Sequence, residues 1–306
     1  MHSGMIISEH SLKSTADGLG ISLVIVRPES EPKAVLQIAY GMCGYKERYL
    51  PLMKFLAERG VACVANDHRG HGKSIRRTED LGYMYEGGYE ALLSDMRMVY
   101  EFVSELCPSA PVYLLGHSMG ALASVLYYRK WGSSLSGLIL CGLPLRPAAT
   151  GLSMRLTGLL DRSGLGHMRM KTAQKLISRV YNRRFSSEDP QAWTCSDPQM
   201  RLRMEGDARS GFYFTVNASY NLMCMLDKAY CPSSDEYGSA EHPPVLLLAG
   251  EDDPCSGYAS TPDIMSSILR AEGCQHLTVR KYPDMRHEIL NEISREKVWM
   301  DILEFM

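Results

Sequence analysis

The sequence has no excess of either charge that would mark a protein binding polyanions. Its 306 residues include 33 lysines and arginines against 35 aspartates and glutamates, a formal net charge of −2. Nucleic-acid-binding domains usually carry a strongly basic surface that neutralises phosphates. The near balance of charge therefore argues against a nucleic-acid partner.

Long hydrophobic runs are also missing. The longest apolar stretches, such as Val245–Gly250, are far shorter than the roughly 20 residues that a membrane-spanning helix needs. Residues 1–10 show no basic flank followed by an apolar run, so the sequence predicts no secretory signal peptide. We therefore expect a soluble protein located in the cytoplasm.

The nine cysteines lack the spacing of a metal-binding or redox motif. None forms a Cys-x-x-Cys pair, and the number is odd. Several lie inside apolar strand-like runs, as Cys63 and Cys141 do. We expect reduced cysteines that act as small hydrophobic residues, which agrees with a cytoplasmic setting.

Short apolar segments alternate with longer helical patterns over most of the chain. The predicted strands are Leu23–Arg27, Ala34–Tyr40, Val61–Asn66, Val112–Gly116, Leu138–Gly142, Val245–Ala249 and Leu277–Tyr282. The predicted helices of this part are Glu47–Arg59, Tyr89–Leu106, Ala121–Trp131, Asp263–Glu272 and Arg295–Phe305. Such alternation predicts an α/β fold with a mostly parallel central sheet and helices on both faces. Residues 11–14 and 21–27 flank a turn and predict an antiparallel hairpin at the sheet edge.

One long segment, residues 144–242, interrupts this alternation. It shows no clear strand, and helical patterns occur at Met154–Leu160, Ala173–Arg184 and Phe212–Leu226. Long excursions of this kind are usually functional lids. The sequence therefore predicts a core formed by residues 1–143 and 243–306, and an inserted helical cap formed by residues 144–242.

The most informative motif is Gly116-His117-Ser118-Met119-Gly120. It follows an apolar strand and precedes a helical run, as a Gly-x-Ser-x-Gly nucleophile elbow requires. The two glycines remove side chains that would collide in the tight turn, and the helix directs its N-terminal N–H groups toward developing negative charge. Ser118 is therefore the candidate nucleophile.

A serine hydroxyl needs a base, and the base needs an acid that orients it. In this strand–turn–helix setting both follow the serine in the order Ser, Asp, His. Asp253, with Asp252 as a rival, follows the strand at 245–249, and His287 follows the strand at 277–282. His276 competes as base, but it precedes its strand and should lie at the opposite end of the sheet.

In several of its motifs, the sequence resembles the monoacylglycerol lipase and lysophospholipase group of α/β-hydrolases. This group is also described as serine aminopeptidase-like hydrolases. The matching segments are Tyr40–Tyr49, Asn66–Ser74, Gly116–Gly120, Gly250–Pro254 and Arg286–Glu292. The resemblance implies the α/β-hydrolase fold and a catalytic triad of Ser118, Asp253 and His287. It also implies an oxyanion hole formed by the backbone N–H groups of Met42 and Met119.

The sequence departs from the family at the first oxyanion loop. Family members usually carry His-Gly where this sequence has Tyr40-Gly41, and Gly44 and Tyr45 replace a common Glu-His. Because the oxyanion donors are backbone groups, the change need not abolish activity. The path of the loop and its contacts with the leaving group therefore do not follow from the resemblance.

No cofactor or metal is predicted. Residues 70–74 superficially resemble a phosphate-binding loop, but the first glycine of that motif would fall at Asp67. His68 and His71 have no third metal ligand at a usable spacing.

Together these observations predict a serine hydrolase that cleaves carboxylic esters through an acyl-enzyme. The resemblance implies a glycerol or phosphoglycerol ester with one acyl chain, and transient contact of the cap with micelles or membranes. Two alternatives remain: a carboxylesterase, thioesterase or amidase acting on small acyl substrates, and a non-catalytic binding module. The presence of all three triad residues argues against the binding module.

Overall fold

A computed structural model describes residues 4–185, 189–232 and 242–306 of the chain. Its eight strands form one sheet in the order β1-β2-β4-β3-β5-β6-β7-β8. The strands are β1 (Met5–Lys13), β2 (Gly20–Pro28), β3 (Ala34–Ala39), β4 (Val61–Asn66), β5 (Val112–His117), β6 (Gly137–Cys141), β7 (Val245–Gly250) and β8 (Leu277–Tyr282). The seven predicted strands are present with ends shifted by three residues at most.

The sheet is antiparallel at one edge and parallel elsewhere. β1 pairs with β2 from Met5 opposite Pro28 to Lys13 opposite Gly20, and β2 pairs antiparallel with β4. All other neighbouring strands run parallel. The predicted hairpin is therefore present, but β1 begins six residues earlier than the predicted segment at 11–14. Its side chains are mostly exposed, so the apolar alternation that indicates a buried strand is weak there.

Helices cover both faces of the sheet. The helices of the core are α1 (Leu50–Ala57), α2 (Gly88–Leu106), α3 (Met119–Trp131), α8 (Thr261–Ala271) and α9 (Arg295–Phe305). Successive residues of β6 point to opposite faces: Leu138 and Leu140 pack with α2, α3 and α8, whereas Ile139 packs with α1 and α9. The near-continuous apolar character of β2 to β7 is thus explained, since these strands are covered on both sides.

Helices also form most of the described part of residues 144–242. They are α4 (Thr150–Leu160), α5 (Lys171–Tyr181), α6 (Pro198–Glu205) and α7 (Val216–Tyr230). Thr215 caps α7 by accepting a hydrogen bond from the N–H of Ala218, so this helix begins four residues after the predicted start. The remainder of the predicted cap, residues 186–188 and 233–241, lies outside the described residues, and the proposed division into core and cap stays a prediction.

The parallel strands bring three loops to one edge of the sheet. β5 ends at His117, β7 at Gly250 and β8 at Tyr282, and their carboxyl ends point the same way. Active sites of open α/β sheets form at this edge. All nine cysteines are free. Within the described ranges, no helix is both long and apolar enough to cross a bilayer.

Candidate active site

Ser118 occupies the tight turn between β5 and α3. Its backbone has φ 54° and ψ −120°, and a positive φ of this kind costs a residue with a side chain about 1–3 kcal/mol. The turn also brings other backbone segments close. A Cβ atom at Gly120 would lie 2.0 Å from the carbonyl oxygen of Ala39, and one at Gly116 would lie 2.5 Å from Ser124 Oγ. The two glycines of the motif are therefore required by close packing around the serine.

The imidazole of His287 lies between Ser118 and Asp253. Its Nε2 is 2.8 Å from Ser118 Oγ, and its Nδ1 is 2.9 Å from Asp253 Oδ2. Both His287 and Asp253 are buried. Because an ionised carboxylate only accepts hydrogen bonds, Nδ1 carries the proton that faces Asp253, which leaves Nε2 as the acceptor for the serine hydroxyl. The structure thus brings the three predicted residues within hydrogen-bonding distance of one another.

Asp253, and not Asp252, reaches the imidazole of His287. Oδ1 of Asp253 accepts the backbone N–H of Cys255 at 2.8 Å, which holds the carboxylate while Oδ2 faces the histidine. Asp252 is exposed. The rival base His276 is exposed as well, and it precedes β8, at the opposite edge of the sheet. The geometry therefore selects one member of each pair of candidates.

The surroundings of His287 favour its protonated form. Burial alone lowers the pKa of the imidazole, but the charge of Asp253 and its hydrogen bond raise the pKa more, to above the ordinary 6.5. A carboxylate beside an imidazole stabilises the imidazolium that forms when the base accepts a proton. His287 is therefore suited to take the proton of Ser118 and hold it briefly.

A buried ion pair follows directly in the chain. Glu288 Oε2 is 3.0 Å from Arg48 Nη2, and both side chains are 8% exposed. Burial raises the pKa of Glu288, but the charge of Arg48, together with the two nearby histidines and the hydrogen bond from Asn291, lowers that pKa to about 2. Glu288 is therefore ionised at neutral pH, and its charge further raises the pKa of His287. Sequence reasoning missed this pair, since nothing in the local pattern joins residues 48 and 288.

His117 supports the backbone of His287. Its Nε2 is 3.1 Å from the carbonyl oxygen of His287, and its Nδ1 is 3.1 Å from the hydroxyl of Tyr49. A carbonyl oxygen only accepts, so Nε2 carries the proton and Nδ1 accepts from Tyr49. Burial lowers the pKa of His117, which keeps the ring neutral. The sequence motif treats this position as variable and gave no sign of this contact.

The side chain of Tyr40 takes part in a buried hydrogen-bond network. Its hydroxyl donates to Asp67 Oδ1 at 3.1 Å and accepts the N–H of His68 at 3.0 Å. Asp67 is itself 3.0 Å from Lys46 Nζ. A Cβ atom at Gly41 would lie 2.8 Å from Ser118 Cβ, so the loop backbone runs directly against the serine. Tyr40 therefore anchors the loop that precedes Met42.

The two predicted oxyanion donors belong to segments that flank the serine. Met119 is the first residue of α3 and is buried, whereas the side chain of Met42 is 39% exposed in the loop after Gly41. The N-terminus of a helix presents backbone N–H groups and a partial positive charge. The assignment of Met42 and Met119 to an oxyanion hole stays a prediction.

A segment of the predicted cap covers the imidazole. The ring of Trp193 lies 5.2 Å from the ring of His287, measured between centroids. The carbonyl oxygen of Thr194 accepts the N–H of Glu288 at 2.7 Å, and the N–H of Ser196 donates to Glu292 Oε1 at 2.9 Å. The loop that carries His287 is therefore bound to the segment that covers it.

In the described part of the chain, one cluster holds three side chains able to bind a metal ion. It consists of Asp253, Cys255 and His287, whose ligand atoms lie within 4.8 Å of one another. His68 and His71 belong to no such cluster among the described residues. The side chains whose spacing would allow them to hold a metal ion together thus lie in the candidate active site.

Fold and site together define an α/β-hydrolase, and comparisons with known proteins identify the family. The sequence pattern of the family described as "Serine aminopeptidase, S33" matches residues 30–294. The match covers most of the chain, so the protein belongs to this family.

Relatives and solved structures agree with this assignment. A monoacylglycerol lipase of Mycolicibacterium smegmatis is 24% identical over 98% of this chain and 96% of its own length. A monoglyceride lipase of Mus musculus is 28% identical over 91% of this chain and 87% of its own. A thermostable carboxyl esterase from Bacillus coagulans, in complex with glycerol, has a TM-score of 0.87 and 26% identity over 98% of this chain and 97% of that one. The α/β-hydrolase fold, the resemblance to the monoacylglycerol lipase group and the prediction of a serine ester hydrolase are thus confirmed.

Proposed function

We propose that the protein hydrolyses esters of glycerol that carry one acyl chain, with Ser118 as nucleophile, His287 as base and Asp253 as the orienting acid. The observation that carries the proposal is the continuous hydrogen-bonded chain from Asp253 through His287 to Ser118, with distances of 2.9 and 2.8 Å. The substrate class is supported by similarity over nearly the whole chain to proteins named monoacylglycerol or monoglyceride lipase.

In the proposed reaction His287 takes the proton of Ser118 as Ser118 Oγ attacks the ester carbonyl. The backbone N–H groups of Met42 and Met119 stabilise the oxyanion, and one such donor is worth about 2.7–4 kcal/mol. The tetrahedral intermediate collapses, and His287 protonates the departing alcohol. Water, activated by the same histidine, then releases the fatty acid and restores the serine.

We assign residues 144–242 to a cap that encloses the acyl chain. Two observations support this assignment. Trp193 packs against the ring of His287, and the adjoining backbone is hydrogen-bonded to the loop of that histidine. A cover of this kind excludes water from the charged groups of the reaction.

The same segment carries the surface that we propose contacts lipid aggregates. Two cap helices, α4 and α5, expose apolar side chains at helical spacing, and no residue of α5 is buried. The exposed apolar residues are Leu152, Leu156, Leu159, Leu176, Ile177 and Val180. Basic residues stand on the same two helices at positions 155, 171, 175 and 179. An apolar face flanked by basic residues suits the surface of a micelle or an anionic membrane.

A panel of esters with the same glycerol headgroup and increasing acyl length tests the proposed substrate. We expect kcat/KM to rise from short acyl groups to long ones, and Ser118→Ala to abolish hydrolysis throughout the panel. A preference for acyl groups of two to four carbons, with activity that still depends on Ser118, would refute the lipid substrate and leave the esterase chemistry intact.

The similarity to a carboxyl esterase favours one second candidate, a hydrolase of small esters, thioesters or amides that uses the same residues. The panel separates the two when it includes matched thioesters and amides of one acyl chain. Retained fold with no turnover of any acyl substrate would instead favour a binding module.

A further inference from the structure

Cys255 lies beside the pair formed by Asp253 and His287, and the proposed reaction does not use it. Its Sγ, a carboxylate oxygen of Asp253 and a ring nitrogen of His287 all lie within 4.8 Å of one another. The three residues are 7%, 0% and 4% exposed. Two elements supply them: the loop after β7 provides the aspartate and the cysteine, and the loop after β8 provides the histidine.

The chemistry of this cluster is that of a zinc site. Thiolate, imidazole and carboxylate together favour Zn²⁺ and similar borderline metals over Mg²⁺ or Ca²⁺. With bonds of about 2.0–2.3 Å, tetrahedral ligands lie about 3.5 Å apart, a spacing within the 4.8 Å limit that encloses the three ligand atoms. Three protein ligands leave the fourth position for water.

We propose that Asp253, Cys255 and His287 form an inhibitory binding site for Zn²⁺. Inhibition by Zn²⁺ rests on the proposed function, because His287 is the base of that reaction. Binding of Zn²⁺ to the three side chains does not depend on that function. Zn²⁺ would regulate a site whose proposed reaction uses no metal ion.

The proton balance of binding explains the inhibition. Cys255 loses its thiol proton to solvent as the Zn–S bond forms, and Asp253 binds the metal through a carboxylate oxygen. Zn²⁺ takes Nδ1 of His287, so the proton of the neutral ring moves to Nε2. Nε2 then carries a hydrogen and cannot accept the proton of Ser118. Binding also breaks the hydrogen bond between Asp253 and His287 that orients the ring.

Cobalt spectroscopy tests metal binding independently of hydrolysis. Co²⁺ replaces Zn²⁺ in tetrahedral sites, and its bond to a thiolate produces a charge-transfer absorption band. The full-length protein, first freed of metal with a chelator, is titrated with Co²⁺. We expect the band in the wild type and in Cys231→Ser, which removes the exposed cysteine, and its loss in Cys255→Ser. Asp253→Asn, which preserves side-chain shape, serves as the second variant, and we expect a weaker band.

Inhibition is measured as the Zn²⁺ concentration that halves each variant's own metal-free rate. We expect this concentration to rise about tenfold or more in Cys255→Ser and to stay unchanged in Cys231→Ser, with EDTA restoring activity. A wild type without a cobalt band, a band that survives Cys255→Ser, or equal zinc sensitivity in both proteins would overturn the proposal. A Cys255-dependent band in a protein that hydrolyses no ester would support the metal site and refute the proposed function.

Discussion

Three side chains contact His287, each at a different part of the residue. Asp253 accepts a hydrogen bond from Nδ1, His117 donates one to the backbone carbonyl, and the ring of Trp193 covers the ring. The carboxylate sets the tautomer and raises the pKa, whereas the other two contacts affect position and solvent access. Substitutions at these residues should therefore have different kinetic signatures.

Replacing Asp253 with asparagine should lower kcat by about 10³–10⁴-fold, because the amide no longer holds the tautomer that leaves Nε2 free to accept a proton. Asp252→Asn is the matched control, since Asp252 is exposed, and its kcat should stay close to wild type. Steady-state kinetics on one ester substrate measures both. Equal losses in the two variants would contradict the assignment of Asp253.

The pH dependence of kcat/KM should report the raised pKa of His287. The base works only when neutral, so activity rises with pH as the imidazole loses its proton. Burial lowers the pKa of His287, but the charge and hydrogen bond of Asp253 and the charge of Glu288 together raise it, so the midpoint of this rise should lie above 6.5 in the wild type. In Asp253→Asn the residual activity should show a lower midpoint, since burial then acts unopposed by that charge. A midpoint that does not move, or that rises, would contradict the electrostatic account.

His117→Phe should lower kcat about tenfold with little change in KM, because the carbonyl of His287 loses its donor and the ring loses its fixed position. An unpartnered buried carbonyl also costs about 1–3 kcal/mol of stability. His117→Gln keeps an N–H donor and should restore part of kcat. Thermal unfolding and kinetics are measured together: a variant that loses stability but keeps its kcat would show that His117 has only a structural role.

At the scale of elements, helix α5 tests the proposed lipid contact. Leu176 and Ile177 are 61% and 50% exposed, so changing both to serine should leave the fold intact. We expect the rate on micellar substrate to fall about tenfold, since each lost side chain removes apolar area from the lipid surface. The rate on substrate below its micellar concentration should not change.

Leu106→Ser in α2 removes a leucine that is 45% exposed and lies outside the proposed cap. This control should keep both rates. If the α5 variant loses the same fraction of its rate on monomeric and micellar substrate, α5 does not bind the aggregate surface.

The elements also show which features of the fold the sequence predicts. Strands β3 to β7 are predicted correctly because burial on both faces requires mainly apolar residues, whereas β8 is only partly buried and carries Arg280 and Lys281. The sequence predicts only part of β1. Most of its side chains face solvent, so they do not form the apolar pattern that indicates a strand in a sheet. Helix α6 was missed because its eight residues are largely polar. Its start is nevertheless marked by Asp197, which accepts the N–H of Gln199, and by Pro198.

At the scale of the whole molecule, the order Ser, Asp, His and the positions of the strand ends predict which loops meet, but they leave the choice between Asp252 and Asp253 to the structure. Parallel strands end at the same edge, so a residue just beyond one strand lies near residues beyond its neighbours. The ion pair of Arg48 with Glu288 and the contact of Trp193 with His287 could not be predicted in this way. They depend on how loops and cap segments pack, which no periodic pattern encodes.

The central claim is that Ser118 is a nucleophile activated by His287. Mass spectrometry of the intact protein after reaction with a fluorophosphonate tests it most directly, because this reagent phosphonylates an activated serine hydroxyl much faster than an ordinary one. The account predicts one adduct, located on Ser118 by peptide mapping, which is absent in Ser118→Ala and strongly slowed in His287→Gln. A folded wild-type protein that forms no adduct, or that carries it on another residue, would contradict the account.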